Sequence, residues 1–216
     1  MQYSLIRTLK YLFYLLLVCQ LELSHAQDWK LEKQEQQITV SSKLGDSGYK
    51  SILATTVVKS RTEALLRLLD DVERGPLWIA NCIAVEVIAT PSENERIVHS
   101  YFSAPWPIKD RDMVTYSLTS AQQTSLRISI SNRGNAYTLD EAYVRMQDMF
   151  GEWKVSELAN DEIRITYQGG GNPAGKLPRW LANMALIDAT FETFINLTDI
   201  IIDGKYQQAQ ILSIAE

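Results

Sequence analysis

Histidine and cysteine are nearly missing from this chain of 216 residues, which holds two of each. His25 and Cys19 fall in an N-terminal segment read below as a leader, so only His99 and Cys82 remain beyond it. A single thiol cannot close an intramolecular disulfide, and the fold must stand on its core alone. No H-x-x-x-H, C-x-x-C or paired His/carboxylate spacing occurs, so no metal site and no cofactor is expected. Gly-x-Ser-x-Gly is also missing, which leaves a hydrolase elbow unsupported. Lysine and arginine form no cluster, and the net charge is −5. An acidic chain without a basic patch is a poor match for a phosphate backbone, so nucleic acid is excluded as a partner.

Long apolar runs are scarce too. Tyr11 to Val18 is the longest, behind Arg7 and Lys10 and ahead of Ser24-His25-Ala26. A basic start, a short apolar centre and small residues before a cut describe a secretory leader. The run is far below the roughly 20 residues a spanning helix needs. Cleavage after Ala26 is therefore expected, with a periplasmic or secreted product. Cys19 would serve a lipoprotein only with a small residue before it, and Val18 stands there. Losing Arg7, Lys10 and Glu22 takes the charge to −6. The remaining 190 or so residues suffice for one domain with its own core. The expected boundaries are 1–26 leader, 27–205 domain and 206–216 tail.

What is present is a succession of strand patterns. Trp29 to Lys43 and Tyr49 to Val58 flank the turn cluster Gly45-Asp46-Ser47-Gly48. Thr62 to Asp71 has helical spacing, Gly75-Pro76 interrupts it, and Leu77 to Cys82 reads as a short second helix. Strands are expected over Ile83 to Ala89, Ile97 to Ser103, Met113 to Thr119 and Ser125 to Ser131. Two more follow, over Tyr143 to Glu157 with a bend near Gly151, and over Glu162 to Gln168. Leu126, Ile128 and Ile130 alternate with Arg127, Ser129 and Ser131, as on a sheet apolar on one face. Short turns between consecutive strands imply antiparallel pairing. The cover is a long helix with Trp180, Met184, Ile187, Phe191, Phe194, Ile195 and Ile202 expected as one stripe. The fold class is thus α+β: a curved antiparallel sheet gripping a C-terminal amphipathic helix.

Three segments could carry chemistry. Gly170 to Lys176 fits G-x-x-x-x-G-K, but Leu177 stands where the Mg²⁺-binding hydroxyl belongs, so a lid hinge is expected instead. His99 has neither an orienting partner nor a reaction site visible in sequence, and reads as structural or cavity-lining. Ser103 to Val114, S-A-P-W-P-I-K-D-R-D-M-V, is a stiff loop between two strands. Pro105 and Pro107 fix the backbone and hold Trp106 out as an apolar knob. Arg111 with Asp110 and Asp112 is expected to form a structural ion-pair cluster at the strand start, the other reading being a polar anchor for the head of a bound ligand.

Trp78 to Asn81 (W-x-x-N), Arg111-Asp112-Met113-Val114 (R-D-M-V) and Asn172-Pro173 through Pro178-Arg179-Trp180-Leu181 occur in one order. Together, from about Trp29 to Asp199, they resemble the START family of lipid-binding domains, especially its bacterial members. The resemblance implies a helix-grip fold around an internal hydrophobic tunnel and a lipid ligand. Sterol-type relatives carry a charged pair in that tunnel, and the approximate matches here, Ser100 and Ser117, are neutral. Candidate ligand contacts on the sheet side are Trp78, Ser100, Phe102, Trp106, Arg111 and Ser117. On the helix side they are Met184, Ile187, Phe191 and Phe194. The function expected is lipid transfer or sensing outside the cytoplasm by a monomer in transient membrane contact. The alternatives are a cyclase or hydrolase acting on an apolar substrate in the same grip, and an interaction module with a filled interior.

Overall fold

The computed structural model describes residues 29–122 and 125–207. The expected leader at 1–26 and most of the expected tail lie outside them. Among the described residues ten strands form one curved sheet. These are β1 (Lys30–Glu35), β2 (Ile38–Leu44), β3 (Lys50–Lys59), β4 (Cys82–Ser92), β5 (Glu95–Phe102), β6 (Arg111–Gln122) and β7 (Ser125–Asn132). The short β8 (Val144–Arg145), then β9 (Gln147–Glu157) and β10 (Glu162–Asn172), complete it. The order is β1-β2-β3-β10-β9-β7-β6-β5-β4, antiparallel throughout except that β8 runs parallel to the start of β6. Among the described residues four α-helices accompany the sheet: α1 (Thr62–Asp70), α2 (Gly75–Trp78), α3 (Arg179–Ile201) and α4 (Gly204–Gln207).

Register explains the core. Ile128 opposes Trp153, Trp153 opposes Tyr167 and Tyr167 opposes Ala54, so one row of side chains crosses β7, β9, β10 and β3 on the same face. Ile52, Ile163, Ile165, Val155 and Leu126 share that concave face, all nearly or fully buried. Helix α3 lies over its β1–β3 half and against α2. Its buried line is Ile187, Thr190, Phe194, Leu197 and Ile201, at the three- and four-residue spacing of one helical face. The Phe194 ring stacks on Trp153 at 5.9 Å, and Trp153 also meets Tyr167 at 4.5 Å and Trp78 at 6.3 Å. Phe191 sits beside this line, half-buried beneath the Lys33 ammonium.

The helix is also pinned by polar contacts along its length. Asn183 accepts from the Lys50 backbone N–H at 2.8 Å and donates to the Gly48 carbonyl at 3.1 Å, clasping the β2–β3 turn. Thr193 accepts from the Ala80 N–H at 3.0 Å. Beyond its C-terminus, buried Tyr206 donates to Asp71 at 2.8 Å, while Arg67 donates to the Tyr206 carbonyl. The tail expected from 206 thus opens with a core residue.

Four expectations change. Trp29 to Lys43 is two strands, turned at Gln36, which adopts a left-handed φ of 48° and carries no turn signature. Gly75-Pro76 begins α2 rather than breaking it: Pro is at home in a first turn, and Gly75 lets the helix approach Val85, whose Cγ2 would lie 2.8 Å from an added Cβ. The bend in Tyr143 to Glu157 falls at Met146, between β8 and β9, and not at Gly151. Finally, Trp180 and Met184 are exposed and Ile202 lies past the helix end, so the buried stripe is rotated from the expected one.

The convex face carries one buried charge cluster. Asp112 is 1% exposed and takes Arg145 Nε at 2.9 Å, with His99 Nε2 at 2.7 Å. A carboxylate there accepts from Nε2–H, leaving His99 Nδ1 to accept from the Tyr101 hydroxyl at 3.0 Å. Arg145 further donates to the Gly134 and Thr138 carbonyls, tying residues 133–146 over β5 and β6. The partner of Asp112 is therefore Arg145 and not the expected Arg111. Burial pushes the Asp112 carboxyl up, but Arg145 and His99 outweigh it and hold it below the ordinary carboxylate range.

Two outcomes follow from this packing. Phe194→Ala should cost about 3–5 kcal/mol in urea unfolding and Phe191→Ala clearly less; equal losses would contradict the assigned face. Asp112 has a lowered folded pKa, so its stabilisation is present above the unfolded value of about 3.9 and fades as pH falls through the folded one. Asp112→Asn should cost about 3–5 kcal/mol at pH 7, because it leaves Arg145 unpaired, and it should flatten the acid limb of the stability curve. An unchanged acid limb would contradict this.

Candidate functional site

Helix α3 covers only part of the concave face. Toward β4–β6 that face continues through Val87, Val98, Met113 and Ile130, which share a side by register and are half-buried or more exposed. An apolar strip left half open inside a curved sheet is the place where an apolar molecule would gain most from burial. Helix α2 packs against β4 at one flank of the strip. At the far end of α1, Asp70 reaches Arg96 of β5 at 2.9 Å and closes that end with an ion pair.

The candidate residues divide into three groups. Ser100, Phe102, Arg111 and Ser117 all face the strip, from β5 and β6. Ser100 is buried, and Ser117 donates to the Arg96 carbonyl at 3.4 Å. Their register separates them by four residues along β5, so they do not form one contact point. Trp78, Ile187 and Phe194 are in the packed core, with Trp78 Nε1 buried and without an acceptor among the described residues. Trp106 (93% exposed), Trp180 (68%) and Met184 (48%) lie outside, on the 103–110 loop and the first turns of α3. Phe191 is at the helix flank over β1.

Sequence reading missed Tyr167 and the glycines that make room for it. Its hydroxyl lies where a Cβ on Gly169 or Gly151 would come within 2.6 or 2.8 Å. Both glycines are thus required by a ring laid flat across β9 and β10, with burial pushing its phenol up to about 12. Gly170 and Gly171 extend β10, so the G-x-x-x-x-G-K pattern contains strand and not a phosphate loop. His99 faces the convex side, away from the strip. Burial pushes the Cys82 thiol up to about 11, so it is protonated at neutral pH and a weak nucleophile.

Arg111 opens β6 at the other end of the strip. It is 6% exposed, donates to the Lys109 carbonyl, and keeps a buried Nε without an acceptor among the described residues. Asp110 is occupied by the Ala104 N–H at 2.8 Å. The backbone at Gly175 (φ 68°) passes over the guanidinium: a Cβ there would lie 3.8 Å from Nη2. A separate cavity of about 260 Å³ lies where the 45–49 turn meets β9 and β10, lined by Tyr49, Asp148, Phe150 and Asn172 among others. It falls below the roughly 300 Å³ at which small-molecule pockets begin.

Comparison with known proteins agrees with this architecture. An uncharacterized protein of Pseudomonas aeruginosa is 29% identical over 174 residues, covering 80% of this chain and 86% of that one. The crystal structure of a STAR-related lipid transfer protein from Xanthomonas axonopodis superposes with a TM-score of 0.73 at 23% identity, over 80% of this chain and 98% of the other. Human STARD10 gives 0.74 at 19% identity, over 82% and 74%. The START domain profile matches residues 14–193. With the curved antiparallel sheet, the C-terminal helix gripped by it, and a profile spanning most of its length, the chain belongs to the START domain family.

Proposed function

We propose that this protein binds a lipid-like apolar molecule on the concave strip and carries it between membranes outside the cytoplasm. The observation that carries this reading is the strip itself: Val87, Val98, Met113 and Ile130 face inward yet lie open beside a fully packed core. Every methylene moved there from water contributes about 0.8 kcal/mol. Family membership and the lipid transfer named for the Xanthomonas relative support it. The leader-like segment at 1–26 is the reason for placing the protein outside the cytoplasm.

Access follows from how unevenly α3 is held. Its C-terminal half is locked by Phe194, Leu197 and Tyr206, whereas its first turns expose Trp180 and Met184 and depend on the Asn183 clasp. Opening the first turns leaves the core intact, as a lid requires. Among the exposed apolar side chains, Trp106 and Trp180 suit a membrane surface, where indole rings settle at the headgroup level. That His99 points to the opposite face favours carriage of the molecule unchanged over its conversion.

Transfer of a fluorescent lipid between vesicles tests this reading. Wild type should accelerate transfer, and His99→Ala should stay within a few-fold of it after allowance for any loss of folded protein. Asn183→Ala should speed exchange several-fold by freeing the lid. No acceleration by wild type, or recovery of a chemically altered lipid, would overturn the carrier reading.

A further inference from the structure

We propose that the lipid carries an anionic head, a carboxylate or a phosphate, and that Arg111 holds it at the β6 end of the strip. This rests on the strip being the lipid site, and it adds the chemical class of the ligand and its direction of binding.

Two buried arginines make the comparison. Arg145, on the convex side, has Asp112 against both Nε and Nη2, and its remaining donors go to the Gly134 and Thr138 carbonyls. Arg111 is similarly buried on the concave side, but among the described residues its hydrogen bonds are one to a backbone carbonyl and none at Nε. Among the described residues no carboxylate pairs with it, and the nearby Asp110 is turned to a backbone N–H. A guanidinium keeps its charge at any working pH and presents five donors in a planar fork. Burial alone works against that charge, and the field of Asp110 only partly opposes the effect. A planar, buried, under-paired fork matches a carboxylate or phosphate better than any neutral head.

The surroundings set the direction. From Arg111 the concave side of β6 runs through Met113, Thr115 and Ser117, and Ser117 sits opposite Arg96. Six residues at about 3.3 Å each span roughly 20 Å. At the far end the Arg96 charge is already matched by Asp70. Between the two ends lie Val98 and Met113 with the buried Ser100 and Thr115, while Phe102 flanks Arg111 and Ile130 flanks Ser117, and the four apolar members suit an acyl chain. The head therefore lies under the backbone at Gly175 and the tail points toward α1.

The test is titration of delipidated protein, followed by tryptophan fluorescence, with two matched pairs: palmitate against methyl palmitate, and dipalmitoyl phosphatidate against dipalmitoylglycerol. In wild type the charged member of at least one pair should bind at least tenfold more tightly, and which pair shows it separates carboxylate from phosphate. Arg111→Gln should erase the preference, so that within this variant the charged and neutral members of the pair bind alike, and Arg111→Lys should retain most of it. Inorganic phosphate alone should not compete, and competition by it would overturn the assignment to a lipid head. The wild-type comparison stands even if Arg111→Gln fails to fold. Equal affinities within both pairs would overturn the anionic head while leaving the lipid site in place. Binding of none of the four would remove both.

Discussion

The stacking of Phe194 on Trp153 joins the C-terminal helix to the sheet, and the rest of the architecture depends on that seam. Trp153 stands in the middle of the sheet, on β9, and its ring touches Phe194, Tyr167 and Trp78 from three different elements. Such a block buries much apolar surface and adds a specific geometry to it. It fixes where α3 crosses the sheet, over β1–β3. Among the described residues, the β4–β6 half of the concavity consequently has only the short α2, at its β4 flank. The opening belongs to the same packing that stabilises the fold, and needs no separate device to create it.

Charge is arranged around the same division. On the convex side the Asp112–Arg145 pair is enclosed and saturated, and it holds a long excursion against β5 and β6. A buried pair of this kind adds less stability than its Coulomb attraction suggests, because both ions lose their water. Its contribution is to fix one conformation, and removing either member is costly. On the concave side Arg111 has no such partner among the described residues, and Arg96 is paired by bridging to α1. The two faces of one strand, β6, thus carry opposite solutions to the burial of an arginine.

Much of this was legible in the sequence. Alternation in Leu126–Ser131 identified the apolar face of the sheet, and the order of the W-x-x-N, R-D-M-V and N-P…P-R-W-L segments pointed to the family. The rest depended on distance along the chain. Arg145 is 33 residues from Asp112, so local charge clustering assigned Asp112 to the wrong arginine. The helix stripe was misjudged because α3 is apolar around most of its surface, which leaves several faces equally plausible by spacing alone. Trp180 and Met184 fit the period but are exposed. The turn at Gln36 has no glycine, proline or asparagine to announce it. Tyr167 was invisible because its role comes from glycines on two strands that meet only in the sheet.

The central claim is that an apolar ligand occupies the strip between Arg96 and Arg111. Intermolecular nuclear Overhauser effects between a bound, isotope-labelled fatty acid and the protein's methyl groups test it most directly. Contacts from the acyl chain to Val98, Met113 and Ile130, with the carboxyl end nearest Arg111, are the expected result. Contacts confined to Met184 and the exposed start of α3, with none to the β5–β7 methyls, would contradict it.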